Sequence, residues 1–307
     1  MKKRLELVYG KSGSGKTTWG RRIAEHIYTT TGKKTRWYAG DGGVETLAGT
    51  EDFIDICNYT AYPNSFETCA RITDGWFPIA PGGALAPTPD DALAEIGMNV
   101  FEGLNLMGDY LMGLNEGGLA NLMARGITLN NDASFKFTDG TTKVGGNSRS
   151  HYGLGQTYMI ANVQRSAALP GFTLWTAHER ETKQGLIGPD VVGEMLTTTI
   201  GAYFGNTIHL MSVPVKQEVI DQTTRKKVEQ RLLEYRAYTR EHFDPSGAHF
   251  MRYFANTRLP RLVDPELMPE YLLGADPIDF YVRLEEARKR EAAEIAARTS
   301  STTGVIL

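Results

Sequence analysis

A glycine-rich segment close to the amino terminus has the residue types and spacing of a phosphate-binding loop. It reads GKSGSGKT over residues 10–17, which matches the Walker A pattern in full. Glycines let the backbone curl until successive N–H groups point at phosphate oxygens. We expect Lys16 to contact the β- and γ-phosphates and the Thr17 hydroxyl to ligate Mg²⁺. The residues assigned to nucleotide binding are Gly10, Ser12, Gly13, Ser14, Gly15, Lys16, Thr17 and Thr18.

The segments on either side of the glycines are those that such a loop requires. Residues 4–9 form an apolar run that predicts a strand, and residues 16–30 predict a helix that ends near Gly32. The start of that helix would add its positive dipole end to the loop. A glycine-rich turn without this context is often only flexible. The strand–loop–helix order therefore favours a P-loop protein that uses ATP and Mg²⁺.

A metal-bound triphosphate also needs an acid at the end of a nearby strand. The apolar run Ile96–Phe101 predicts a buried strand that ends at Glu102. We assign Glu102 to Mg²⁺ together with Thr17. A glycine and an asparagine weaken this strand, so Asp55, within another apolar run, is a rival. Glu102 could also be an acid at the start of a helix.

Two further polar residues follow predicted strands, at the sheet edge where ligands bind in open α/β proteins. Asp41 comes after the strand over residues 35–39 and could activate the attacking water, with Glu45 as the second candidate. In a Gly-Asp-Gly-Gly segment it could equally be a turn residue. His178 follows the buried run 172–177, where it could detect the γ-phosphate or only complete hydrogen bonds at a strand end.

Strands and helices alternate along most of the chain, which predicts an α/β fold with a mostly parallel central sheet and right-handed crossovers. The runs over 229–239 and 249–255 predict antiparallel strands at one edge. An alternating run over 135–144 surrounds an Asp-Gly pair, so we predict a β-hairpin inserted over 126–150. Charged i,i+4 pairs over 278–298 predict a C-terminal helix, either a solvated one or one that binds a partner.

We divide the chain into three parts. Residues 1–262 form the α/β domain, residues 263–298 a helical extension, and residues 299–307 a Ser/Thr-rich tail that we expect to be disordered.

The composition is that of an ordinary globular protein, with 41% hydrophobic and 22% charged residues. A net charge of −3 gives no general basic surface, so any contact with nucleic acid needs a local patch. The two cysteines lack metal-type spacing and favour a reducing compartment. No apolar run approaches the ~20 residues of a membrane span. We therefore expect a cytoplasmic protein without a membrane partner.

Taken together, these segments resemble the RecA-like P-loop ATPases, above all phage-encoded nucleotide-binding proteins, some of which act in single-strand annealing and recombination. The resemblance covers roughly residues 4–260. Besides the loop, it rests on WYAGDGG at 37–43, VFEGL at 100–104, TAHE at 176–179 with a later Gly188-Pro189, and FANTRLP at 254–260. Two departures are the glutamate at position 102, where the family usually has aspartate, and the missing lysine in the last segment.

This resemblance implies an oligomer, either a ring or a filament, in the cytoplasm of the host if a phage encodes the chain. Arg258 would then reach the γ-phosphate of a neighbouring subunit as an arginine finger. A surface arginine beside Pro260 is the alternative.

The same resemblance places two segments, 126–150 and 179–189, towards a central DNA strand. Cations interleaved with aromatic residues suit single-stranded DNA, because bases stack and phosphates need neutralising. A hairpin that merely carries surface lysines is the alternative. The candidate DNA contacts are Lys136, Lys143, Arg149, Arg180 and Lys183.

The function implied is Mg²⁺-dependent ATP hydrolysis coupled to single-stranded DNA in recombination or replication. A DNA-translocating or packaging motor subunit, a small-molecule P-loop kinase and a non-catalytic ATP-binding assembly protein are the alternatives. We see no nuclease-like carboxylate cluster for a complete packaging enzyme and no arginine-rich lid for a kinase. The residues assigned to catalysis are Lys16, Asp41, Glu102, His178 and Arg258.

Overall fold

The computed structural model describes the chain in ten stretches. They are residues 4–40, 42–63, 65–112, 127–129, 135–137, 148–220, 227–243, 252–257, 271–274 and 276–302.

Sixteen strands and seven α-helices are defined within these stretches. The strands are β1 Arg4–Tyr9, β2 Lys34–Ala39, β3 Ile54–Asn58, β4 Phe77–Pro78, β5 Leu85–Ala86, β6 Ile96–Phe101, β7 Ile127–Leu129, β8 Phe135–Phe137, β9 Phe172–Ala177, β10 Glu179–Glu181, β11 Leu186–Pro189, β12 Asn206–Ile220, β13 Lys227–Tyr238, β14 Arg240–Phe243, β15 Arg252–Thr257 and β16 Tyr271–Leu273. The helices are α1 Lys16–Thr31, α2 Ser65–Thr73, α3 Asp90–Ala94, α4 Leu104–Met112, α5 Ser148–Ser166, α6 Glu194–Thr199 and α7 Pro277–Thr302.

A parallel sheet of six strands occupies the centre of the molecule, in the order β3-β2-β6-β9-β1-β12. β15 and β13 pair with β12 antiparallel, and β11 and β10 extend the sheet beyond β15. The strand that precedes the glycine loop is thus flanked on both sides, by β9 and β12. This mixed α/β arrangement, mostly parallel at its centre, is consistent with a RecA-like fold.

The two faces of the sheet bury separate hydrophobic clusters. Successive side chains of a strand point to opposite faces, so Val8 joins one cluster while Leu7 and Tyr9 join the other. Helices α1 and α7 cover the Val8 face, and α4 and α5 cover the opposite one. Strands β6 and β9 are buried along their whole length, as expected for parallel strands with helices on both sides.

Helix α7 packs directly on the first strand. Phe280, Tyr281 and Leu284 are buried in the same cluster as Val8. The Tyr281 hydroxyl donates to Glu6 Oε2 at 2.6 Å, and burial raises the pKa of this carboxyl. The helix, which sequence alone places in a separate extension, therefore contributes to the core of the α/β domain, and it continues to Thr302 rather than ending at 298.

Residues 127–129 pair antiparallel with 135–137 within the predicted 126–150 insertion, and the turn expected at the Asp-Gly pair lies in residues 138–147, outside the described part of the chain. Two other predicted elements differ from the observed ones. β15 lies between β11 and β12 instead of at an edge, because β11 adds to it in parallel. Residues 179–189, expected to be a loop, form the β10–β11 hairpin. No helix within the described residues is long and apolar enough to cross a membrane.

Candidate nucleotide-binding site

The glycine loop connects the carboxyl end of β1 to the first turn of α1. Gly15 caps the helix with φ = 95°, a left-handed conformation that favours glycine, and no side chain caps the helix start. The first turn also contains no acidic residue. Its N–H groups therefore keep their donor capacity and their dipole end for an external anion.

Two polar side chains of the loop are placed to bond to a phosphate. The Lys16 ammonium donates to the carbonyl oxygens of Gly10 and Lys11, both at 2.9 Å, so it lies directly over the loop. Ser14 Oγ is buried without a hydrogen-bond partner among the described residues. A phosphate in the loop would supply acceptors for both groups.

Glu102 lies beside the loop, at the end of β6. The Thr17 hydroxyl donates to its Oε1 at 2.9 Å, and the Trp37 indole N–H donates to its Oε2 at 3.0 Å. The carboxylate is almost fully buried and is oriented by these two donors. A hydroxyl and a carboxylate side by side are oxygen ligands of the type that Mg²⁺ prefers.

A cavity of about 510 Å³ opens above the loop. Its walls come from the loop and the start of α1, from Glu102 after β6, from His178 after β9, and from Tyr235 on β13. In the described part of the chain, no three His, Cys, Asp or Glu side chains gather as metal ligands. A divalent cation held here would thus take most of its oxygen ligands from phosphates and water, which is usual for Mg²⁺.

His178 is held at the cavity by its backbone. Its N–H donates to Asn105 Oδ1 at 3.2 Å, and its carbonyl accepts from the Asp190 N–H at 2.7 Å. The neighbouring Thr176 hydroxyl accepts from the Gly103 N–H at 3.0 Å, which joins the ends of β6 and β9. The backbone segments that carry Glu102 and His178 are therefore joined to each other by a hydrogen bond.

A row of polar side chains runs from the exposed Lys11 of the loop through Glu179, at the start of the β10–β11 hairpin, to the buried His209 on β12 and His242 on β14. Lys11 Nζ is 3.7 Å from Glu179 Oε1, and Glu179 Oε2 is 3.1 Å from His209 Nε2. His209 Nδ1 lies 2.9 Å from His242 Nε2, and His242 Nδ1 is 3.1 Å from the Phe243 carbonyl oxygen. Burial lowers the pKa of His209, and the Glu179 carboxylate opposes that effect. Glu179 thus contacts His209 within the protein and forms an ion pair with Lys11 of the loop.

The structure shows where the other candidate acids, Asp55 and Glu45, lie relative to the cavity. Asp55 forms an ion pair with Lys34 at 3.2 Å and is not among the cavity residues. Glu45 is exposed on a 3₁₀ turn over Gly42–Leu47, whose Thr46 does line the cavity. Asp41 and Arg258 lie outside the described residues.

The DNA candidates are only partly described. Arg180 lies on the hairpin, 3.4 Å from Asp190 Oδ1, and Lys183 is exposed near the hairpin turn. Burial raises the pKa of Asp190, an effect that Arg180 partly offsets. Lys143 lies outside the described residues, as do the side chains of Lys136 and Arg149.

Three residues of the site escaped sequence reasoning. They are Trp37, which donates to Glu102, Asn105, which accepts from the His178 N–H, and Tyr235, which lines the cavity. The sequence indicates only that each belongs to a strand or a helix. Trp37 reaches Glu102 across 65 residues, and no local pattern records such a contact. Tyr235 could have been found only by predicting that β13 passes over the loop.

No protein-family model matches the chain, and no curated protein matches it. Among solved structures, it is similar to the flagellar accessory protein FlaH from Methanocaldococcus jannaschii, with a TM-score of 0.39 and 9% sequence identity over 77% of each chain. A TM-score this low carries no argument about fold or function. The resemblance to phage-encoded recombination proteins therefore stays a prediction.

Proposed function

We propose that this protein binds a nucleoside triphosphate together with Mg²⁺ and hydrolyses it. The observation that carries the proposal is the Thr17–Glu102 hydrogen bond of 2.9 Å next to a complete phosphate loop. A loop alone would support binding of many anions. A hydroxyl and a buried carboxylate at the loop's mouth add the ligands of a metal-bound triphosphate.

Each residue has a role that follows from its position. Lys16 exchanges its two carbonyl partners for phosphate oxygens, and the first turn of α1 donates N–H groups to the same anion. Thr17 and Glu102 hold the cation, with Trp37 keeping the carboxylate in place. When bound, Mg²⁺ supplies charge neutralisation and polarisation of phosphate oxygens. His178, at the cavity wall, contacts the terminal phosphate.

Two further residues complete the proposed chemistry. Asp41 orients the attacking water, since it follows β2, the neighbour of the strand that ends in Glu102. Arg258 from a neighbouring subunit would neutralise charge that develops in the transition state. Both assignments come from the sequence pattern.

We also propose that single-stranded DNA is the partner coupled to turnover. The supporting observation is that the β10–β11 hairpin begins at Glu179, directly after His178, and that this glutamate forms a 3.7 Å ion pair with Lys11 of the loop. Its exposed Lys183 would meet a phosphate backbone, and hairpin displacement would be transmitted to the loop.

The test measures ATP binding and phosphate release for three variants of the full chain. Lys16→Ala should reduce both. Glu102→Gln should retain nucleotide binding but lower turnover by about 10²–10³, the usual effect of removing one group that stabilises transition-state charge. Lys34→Ala is the matched control, because Lys34 pairs with Asp55 away from the cavity.

The outcomes separate the alternatives. Turnover that rises with single-stranded DNA supports the coupled ATPase, and turnover indifferent to every DNA tested removes that part of the proposal. Phosphate transfer to a metabolite would indicate a kinase. Binding without turnover would indicate an ATP-dependent assembly protein, and turnover unaffected by Lys16→Ala would refute the proposal as a whole.

A further inference from the structure

Strand β13 leaves the protein core as it passes over the phosphate loop. Ala237 pairs with Leu210 and is 0% exposed, whereas Tyr235, two residues earlier on the same face, pairs with Ser212 and is 39% exposed. The β12–β13 ribbon thus carries an aromatic side chain from the core to the rim of the cavity.

The ring lies above the start of helix α1. A Cβ atom placed on Gly15 would be 3.8 Å from Tyr235 Cδ1, which is van der Waals distance. The Tyr235 backbone is fixed on the other side, because its carbonyl accepts from the Gly274 N–H at 2.8 Å. Gly274 lines the same cavity and has no side chain to fill the space beside the ring.

The shape of a nucleotide determines which part of it lies beside Tyr235. The loop takes the phosphates, so the ribose and base extend from it along the cavity wall. Lys16, Thr17, Glu102 and His178 surround the phosphate end. The cavity wall also contains Gly274 and Tyr235, and Tyr235 is 39% exposed. An accessible aromatic ring is the chemistry on which a nucleobase stacks.

We propose that Tyr235 is the stacking platform for the base of the bound nucleoside triphosphate. This inference rests on the proposed function, because it names the residue that recognises the non-phosphate part of the same ligand. A ring face recognises the π-surface of a base and not its hydrogen-bonding edge. Tyr235 therefore contributes equally to the affinity for adenine and guanine nucleotides and nothing to the affinity for a bare triphosphate chain.

Calorimetric titration of the full chain with ATP, GTP and inorganic tripolyphosphate, each with Mg²⁺, tests the inference. Tyr235→Ala should weaken ATP and GTP about 10-fold, a value typical for the loss of one base-stacking contact, and leave tripolyphosphate unchanged. Tyr235→Phe should restore the wild-type affinities, since it keeps the ring. Tyr203→Ala is the matched control: Tyr203 is 37% exposed and does not line the cavity.

Three results would overturn the inference. Unchanged ATP affinity in Tyr235→Ala, with binding still abolished by Lys16→Ala, removes the platform and leaves the proposed function intact. An equal loss for tripolyphosphate means that the ring only shapes the loop. A wild-type chain that binds none of the three ligands refutes the platform and the proposed function together. Thermal unfolding of each variant shows whether a loss of affinity reflects misfolding. If Tyr235→Ala is misfolded, the affinities of Tyr235→Phe, which keeps the ring, decide whether the ring binds the base.

Discussion

Removing one hydroxyl from helix α7 tests how this helix is joined to the first strand. Tyr281→Phe deletes the donor to Glu6 Oε2 at 2.6 Å, while the ring stays in the core and Asn206 still donates to Oε1 at 2.7 Å. A hydrogen bond to an ionised group contributes about 1.5–3 kcal/mol and one between neutral groups about 0.5–1.5 kcal/mol. The free energy of unfolding should therefore fall more when Glu6 is ionised.

The pH dependence has a definite sign. Burial raises the pKa of folded Glu6 above its ordinary value of 4.5, so its contribution to stability is complete below that pH and is lost as pH rises through the folded pKa. The Tyr281 hydroxyl lowers this folded pKa by stabilising the carboxylate. Without it the pKa rises further. The variant should lose about 1 kcal/mol at pH 4.5 and about 2 kcal/mol above the folded pKa.

Thermal unfolding in steps from pH 4.5 to pH 9 measures the loss at each pH and shows where it increases. At an unfolding entropy of about 2.1 cal/mol/K per residue, a loss of about 2 kcal/mol lowers the midpoint of this 307-residue chain by about 3 °C. Tyr203→Phe removes a hydroxyl from an exposed ring and should change little. A loss that is the same across the whole pH range, or larger at pH 4.5 than at higher pH, would refute the assigned role of the Tyr281–Glu6 bond.

Two further predictions concern the backbone and the thiols. Gly171→Ala should destabilise the protein by more than about 1 kcal/mol, because its φ is +76° and the new Cβ would lie 2.4 Å from the Gly97 carbonyl oxygen. Gly185→Ala is the control, because Gly185 has a similar φ of +75° but open space around it, so this variant measures only the cost of the left-handed backbone conformation. Equal urea midpoints for the two variants would contradict a role of the close contact at Gly171. Both cysteines should resist alkylation at pH 8 until the protein unfolds, because burial raises the pKa of Cys57 to about 11 and that of Cys69 further. Rapid labelling of the native protein by iodoacetamide would show that the thiols are accessible.

Sequence reasoning succeeded where the deciding signal is contiguous. The strand over 172–177 was predicted with its observed bounds, and the strand over 96–101 likewise, because each is an uninterrupted apolar run ended by a polar residue. The glycine loop lies between a strand and a helix as expected. In each case the segment's own residues determine the element.

The sequence-based predictions failed where the position of an element depends on contacts between distant segments. The position of β15 between β11 and β12 depends on register across more than 40 residues. Helix α7 looks solvated because its charges are regular, yet Phe280, Tyr281 and Leu284 are spaced to bury one face.

The position of β1 in the sheet has a consequence for synthesis on the ribosome. Among the described strands, β1 hydrogen-bonds to β9 and β12, whose first residues follow Tyr9 by roughly 160 and 200 positions. At elongation rates of about 5–20 residues per second, the first of these partners is made about 10–30 s after β1 itself. Until then the strand that leads into the phosphate loop has neither of its hydrogen-bonded neighbours. A nascent chain shorter than β9 should therefore bind no nucleotide, and ligand cannot assist folding until more than half of the protein has been translated.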